Sequence, residues 1–495
     1  MDPAVQTLVS QLADLVIQIQ STMSAPPPAD PVEVALRDQL RECTADWSRD
    51  EAVSVLRSIH QLEAKHARVF AVQLLKHLHG TFGLTKADMC RHVHVTIYTF
   101  ASRGDLEVVR CLKETFGLTK EDAQGDKRNT ILRACAEEGH VEMLQYLHEH
   151  LGLDKADAQA RDNYALRLSA ENGHVKMLQC LHEHLGLDKA DARARDNYAL
   201  KVSAENGHLE VLKYLREGFG LTKADAQAQA NYALKASAER GHVEVVRYLR
   251  EAFGLGKKNA QADNNYALRC SADNGHLEVV QYLREGFGLD KEDARAYDNF
   301  ALHYSAAHGR LEVVRYLREA FGLDKEDARA GDNFALRCAA DNGHLGVVQY
   351  LREGFGLDKE DARADNNYTL RCCAASGHLG VVMYLKEGFG LDRADARADN
   401  NYALRQSAKR GHLGVLRYLK EGFGLTMEDA QANDSEALRS AAWAGHADVV
   451  GYLKDAFGLE PAPAGEPAVD LAKRERSADE LLSLLKCKFD GMVTQ

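Results

Sequence analysis

Proline is scarce in this chain, eight residues in 495, and is nearly absent from its long repetitive middle. A stretch without it meets no obligate helix breaker, which favours regular helices joined by short turns. Ten cysteines are present but show no bridging pattern; Cys270, Cys338 and Cys372 fill one variable place in three different repeats. They are expected as free thiols in a reducing compartment, not as a disulfide framework. No run approaches the roughly 20 uncharged apolar residues that span a bilayer, so no membrane insertion is expected. The N-terminus, MDPAVQTLVSQLADLVIQIQ, has no basic leading region and carries Asp14 within its apolar stretch, unlike a secretory signal. Nor does a nucleophile–base pair, a phosphate-binding glycine loop or a zinc spacing stand apart; His60, His66 and Cys43 form no convincing set. Those gaps argue for a non-catalytic chain with no cofactor and no metal. The net charge of -12 comes from acids and bases that alternate along the chain, which argues against nucleic acid as a partner.

What the sequence has is a period. Gly104 and Gly139 stand 35 residues apart, and Gly173, Gly207, Gly241, Gly275, Gly309, Gly343, Gly377, Gly411 and Gly445 follow at steps of 34. A second glycine, in a Gly-Leu pair, keeps the same beat from Gly83 to Gly458. A unit of this length cannot bury its apolar face alone and must stack on its neighbours. The fold class expected is all-α, a solenoid of about eleven helical hairpins over 91–460. A helical N-terminal extension (1–62, with helices near 3–21, 31–43 and 48–61) precedes it. Residues 63–90 read as a degenerate capping repeat, with a helix near 64–79. After the array come a Pro/Ala/Gly linker (461–475) and an amphipathic helix (476–490), capped and carrying Leu481, Leu482, Leu484 and Leu485. That helix is open to an intramolecular place, over the exposed end of the last repeat or on a shelf made by Gly346, Gly380 and Gly414, or to docking a partner.

Within one unit, Asn163 is placed to cap a short helix, Tyr164–Asn172, whose Ala165, Leu166, Ser169 and Ala170 permit close stacking. Gly173 ends it, where a left-handed backbone costs glycine little. A longer helix, His174–Leu185, turns Val175, Leu178 and Leu181 inward. Asp188 and its counterparts Thr222, Asp290, Asp324, Asp358, Asp392 and Thr426 can cap a last short turn of the KADARA type.

The Gly-His-Leu-Glu-Val-Val-x-Tyr-Leu core at 275–283, which recurs at 207–215 with Leu212 for the second Val, resembles the ankyrin repeat. Two departures stand out. Tyr-Ala-Leu-Arg at 164–167 replaces the family's Thr-Pro-Leu-His, and Gly-Leu-x-Lys-x-Asp-Ala-x-Ala replaces its usual turn. The richness of that turn in Lys, Glu, Ala and Arg predicts a short helix in place of a β-finger. The tetratricopeptide family shares the length of 34, but its Trp/Leu/Gly/Tyr first helix is missing.

One histidine per unit (His140, His174, His208, His242, His276, His344, His378, His412, His446) cannot gather around one metal ion when repeats stack about 10 Å apart. Each is expected to make an inter-repeat hydrogen bond. A cationic ladder (Arg133, Arg167, Lys201, Lys235, Arg269, His303, Arg337, Arg371, Arg405, Arg439) runs beside an acidic one (Asp157, Asp191, Asp225, Asp293, Asp327, Asp361, Asp395, Asp429). The matching period predicts that the two pair along the stack; a basic groove for an acidic partner is the other reading.

Partner recognition should sit where the repeats differ. Two residues before the recurrent Asn, the sequence reads Arg161, Arg195, Gln229, Asp263, Tyr297, Gly331, Asp365, Asp399 and Asn433. Just after the cationic ladder it reads Leu168, Val202, Ala236, Cys270, Tyr304, Cys338, Cys372, Gln406 and Ser440. In the ankyrin family the corresponding turn and first-helix face often form the concave binding surface, so the candidates are Arg161, Arg195, Asp263, Tyr297, Tyr304, Asp365, Asp399 and Gln406. Tyr297 and Tyr304 are the expected aromatic anchors. The function this implies is a protein-binding scaffold or adaptor in the cytoplasm, with the nucleus also open to it. A rigid spacer or fixed assembly subunit docking through its termini is the alternative, and a substrate-recruiting adaptor the third. Any of them binds one or more proteins.

Overall fold

The computed structural model describes residues 36–38, 40–62, 67–90, 92–125 and 130–459. The expected helix at 3–21, the linker at 461–475 and the helix at 476–490 lie outside the described residues. The chain divides into two compact units, Met1–Asp327 and Ala328–Gln495. Among the described residues every regular element is helical, with no strand. None of these helices is long and apolar enough to cross a membrane.

In the first unit, Arg49–Ser58 and Ala67–Phe82 lead into successive pairs such as Ala160–Glu171 with Val175–Glu183 and Ala194–Glu205 with Leu209–Glu217. The second unit repeats the design with pairs such as Ala398–Lys409 and Leu413–Glu421, ending at Ala432–Trp443 and Ala447–Phe457. Ala165, Leu166, Ala170, Leu178, Leu181 and Leu185 are buried, as the apolar spacing predicts. Val175 is only half-buried, and Met177 fills the interior in its place. Small residues on the first helix let neighbouring first helices approach closely. Ser169 turns its hydroxyl onto its own backbone, donating to Ala165 O at 2.9 Å, so it adds no unsatisfied polar atom to that contact.

The inter-repeat turn is helical. Lys155–Ala158 begins at Asp154, whose carboxylate accepts from Ala156 N at 3.0 Å, while Asp157 accepts from Asp154 N at 2.9 Å. This reciprocal cap satisfies two donors at the start of the turn, and Asp188, Asp290, Asp358 and Asp392 repeat it. Lys120 reaches from the preceding repeat to Asp154 at 2.6 Å and Asp157 at 3.0 Å. That ammonium holds the Asp154 carboxyl below its ordinary range.

The histidines bind backbone, as expected. His174 Nε2–H donates to Glu137 O at 2.9 Å and His208 Nε2–H to Glu171 O at 2.9 Å. Arg310 stands where histidine is expected and does the same work, its Nε–H donating to Asp273 O at 3.2 Å. The role therefore needs a donor, not a metal ligand. Burial pushes His242 and His412 below the ordinary imidazole range, which keeps these rings neutral inside the stack.

One expected pairing is corrected. The acidic ladder does not pair with the cationic ladder of the first helices. Asp191 takes Lys155 at 3.4 Å, Asp225 takes Arg193 at 2.7 Å, Asp395 takes Arg363 at 2.7 Å and Asp429 takes Arg397 at 2.5 Å. These cations come from the preceding short turn. Asp191, Asp225, Asp395 and Asp429 are buried at the base of the capping box, within reach of that turn. The first-helix cations have a different task.

Candidate interaction edge

The edge of each repeat is a backbone feature that the sequence did not announce. Arg161, Asp162 and Asn163 all have left-handed dihedrals (φ 55, 57 and 57°; ψ 48, 53 and 45°). The same triple recurs at 195–197, 229–231, 263–265 and 297–299 in the first unit, and at 331–333, 365–367, 399–401 and 433–435 in the second. Asn163 is therefore not an N-cap, which would need an extended backbone; its Oδ1 is buried with no hydrogen-bond partner. Asn and Asp tolerate this region better than other side chains do, which explains their abundance here. Ala230 (φ 53°) has no such excuse. Ala230→Gly is expected to stabilise the fold by about 1 kcal/mol, the cost of left-handed backbone at a Cβ-bearing residue; a higher denaturation midpoint checks it, and an unchanged or lower one contradicts the strain.

The first-helix cations hold this turn. Arg167 Nε–H donates to Asp162 O at 3.0 Å and its Nη2–H to Arg161 O at 3.2 Å. Arg269, Arg371 and Arg405 close their own turns in the same two-pronged way. The guanidiniums of Arg167, Arg269 and Arg371 also lie between rings, while Arg405 lies against Tyr402 and pairs with Glu436. Arg167 sits 4.9 Å from the Tyr164 centroid and 5.1 Å from that of Tyr198, one repeat on. In the second unit Arg371 sits 5.7 Å from Tyr368 and 5.3 Å from Tyr402. Cations and rings thus alternate from repeat to repeat within each unit, each contact worth about 0.5–2 kcal/mol. The sequence signal was present as Tyr-x-x-Arg at 164–167, a spacing that puts ring and guanidinium on one helix face.

With that geometry in hand, the comparisons with known proteins can be placed. Models described as ankyrin repeats match residues 131–182 (the many-copies model) and 200–293, 234–329 and 287–363 (the three-copies model). Residues 131–363 carry ankyrin repeats. No curated protein matches the chain. Among solved structures, the pentatricopeptide repeat protein PPR10 from maize is similar at 14% identity and a TM-score of 0.27, over 93% of this chain. The chain spans 64% of that protein's length. A likeness at that level bears on neither fold nor function.

Most of the candidate residues lie in the left-handed turn. Arg161, Arg195, Asp263, Tyr297, Asp365 and Asp399 each take its first position and are exposed. Most of the charges are already matched. Arg195 meets Asp162 of the preceding repeat at 3.1 Å, and Asp263 meets Lys235. Asp365 meets Arg337 at 3.3 Å and Asp399 meets Arg371 at 2.8 Å. Such solvated pairs stabilise by at most about 1 kcal/mol, so they set register more than strength. The basic-to-acidic series is therefore largely neutralised within the chain. Gln406 is buried and offers little surface.

Tyr297 differs from the rest. Its ring stands 4.7 Å from the Arg269 guanidinium and 6.1 Å from Phe300, yet 54% of the residue is open to solvent. Phe300 in turn stacks on the half-buried Tyr304 at 4.0 Å, and Arg269 lies 4.9 Å from Phe300. Two of the named residues are thus brought together in one aromatic run, and Arg269 and Phe300 join them. Among the described residues no group of three or more His, Cys, Asp or Glu is arranged to hold a metal ion.

Proposed function

We propose that this chain binds one or more proteins through the turn and first-helix edge of its repeats, with the aromatic run at Tyr297 as anchor. Repeat-helical scaffolds of this kind are generally used for protein–protein interaction. The observation that carries the reading is Tyr297: a large ring, pre-positioned on Arg269 and Phe300, that stays more than half exposed. A ring already ordered loses little freedom on binding, which is what makes an effective anchor. The paired charges beside it form a polar rim that can exchange partners. The compartment proposed is the cytoplasm or nucleus, and the described edge serves a scaffold or adaptor better than a spacer.

The test is capture of partners from the native cell by the full chain and by its Tyr297→Ala variant. The variant should retain its helical circular dichroism and recover the main partner at least ten-fold less well, as for a side chain contributing about 2 kcal/mol. Equal recovery would remove Tyr297 from the interface.

A further inference from the structure

Within each unit a repeat offers a forward side that its successor occupies, and three columns mark it. In the first, a lysine of the short helix bonds the next repeat's capping aspartate: Lys155 to Asp188 at 2.7 Å, Lys291 to Asp324 at 2.6 Å, Lys359 to Asp392 at 2.8 Å. In the second, Glu205 accepts from the next repeat's Tyr232 hydroxyl at 2.8 Å and Glu239 from that of Tyr266 at 3.0 Å, and the same place holds Asp273, Ala307, Asp341, Ala375 and Lys409 in the repeats that follow. In the third, the turn glycine faces the next histidine, so that a Cβ on Gly411 would meet the His446 ring at 2.7 Å.

In the last described repeat these three places read Met427, Trp443 and Gly445. Met427 is 46% exposed and Trp443 82%, and nothing lies within 4 Å of the Cβ place on Gly445. The first place, a lysine or arginine in the repeats before it, and the second, an acid, an alanine or a lysine there, hold the two largest exposed apolar side chains of that repeat. Such an end favours cover by another apolar surface.

We propose that residues 477–489 of the same chain cover it. These residues lie outside the described part of the structure, and three observations single them out. The described chain ends at Leu459, directly after the helix Ala447–Phe457 that forms this end. The 17 residues from 460 to 476 can extend about 55 Å, whereas an 11-residue helix is only about 17 Å long. In SADELLSLLKCKF, Leu481, Leu482, Leu485 and Phe489 recur at helical spacing and make one uncharged stripe. The cover is thus intramolecular, within reach and apolar where the end is apolar.

Trp443 reports on this contact directly, because the only other tryptophan is Trp47. In the full chain carrying Trp47→Phe, Trp443 emission should be shielded from acrylamide. Adding Leu482→Asp and Leu485→Asp should raise the quenching constant at least three-fold at every protein concentration. A chain ending after Glu475 should quench as that variant does, which guards against an effect of the new charges alone. Circular dichroism should show the repeats intact throughout. A quenching constant that does not change between these chains overturns the proposal. So does shielding that grows with protein concentration alongside a dimeric mass, since a second copy would then be the cover.

Discussion

Gly173→Ala is expected to destabilise its part of the stack by about 3 kcal/mol, while Gly186→Ala, thirteen residues on, costs about 1 kcal/mol. Both glycines have left-handed backbones (φ 77 and 72°), so the strain of adding a Cβ is shared. Only Gly173 has a neighbour. A Cβ there would lie 2.7 Å from His208 Nδ1, and the ring is tied down by its hydrogen bond to Glu171 O at 2.9 Å. Relief requires either breaking that bond or parting two repeats. Nothing lies within 4 Å of the same place on Gly186. Hydrogen exchange is the suitable readout, because a repeat array opens locally and need not unfold as one unit. Faster exchange from Ser169 through Leu181 in the first variant, and little change in the second, is the expected result. Equal effects would mean that backbone strain alone explains these glycines.

Arg167→Met should cost about 2–4 kcal/mol, because it leaves the carbonyls of Arg161 and Asp162 without their donor and removes a cation from between two rings. Arg167 is buried, and burial pushes its guanidinium below its ordinary range, so the contacts are desolvated ones. Arg167→Lys should recover only part of the loss. Lys201 and Lys235 fill the same column in the next two repeats, and Lys201 stays near the Tyr232 ring at 5.7 Å. A point ammonium, however, does not present the guanidinium fork that reaches two carbonyls at once. Amide exchange at 161–166 in the three proteins orders them arginine, lysine, methionine from slowest to fastest. Arginine and lysine exchanging alike would show that charge suffices and the fork does not matter.

These two sites mark where the sequence was legible and where it was not. The glycine period, the paired helices, the capped Lys155–Ala158 turn and the backbone-bound histidines all follow from spacing within one repeat or from the stacking that spacing forces. Arg310 in a histidine place was the hint that a donor, not a ligand, was wanted. The left-handed turn was hidden because Asp-Asn before a helix suits an N-cap as well as it suits αL backbone; tertiary packing decides between them. The pairing of Asp157 and its kin was hidden for a different reason. Two cation columns share the period of 34, and only the fold shows which one reaches these carboxylates. For the candidate edge, Tyr297 and Tyr304 were visible as breaks in the consensus, but the burial of Gln406 and the neutralised charges of Asp263, Asp365 and Asp399 depend on neighbours one repeat away.

The most direct test of the central claim is to cross-link and capture partners in the native cell with the full chain and, separately, with residues 91–460 alone. If the repeats are the binding surface, the shorter protein retains the main partner within about three-fold, and Tyr297→Ala removes it from both. Loss of the partner from 91–460, with its recovery on residues 1–90 or 461–495, would make the repeats a spacer and contradict the account.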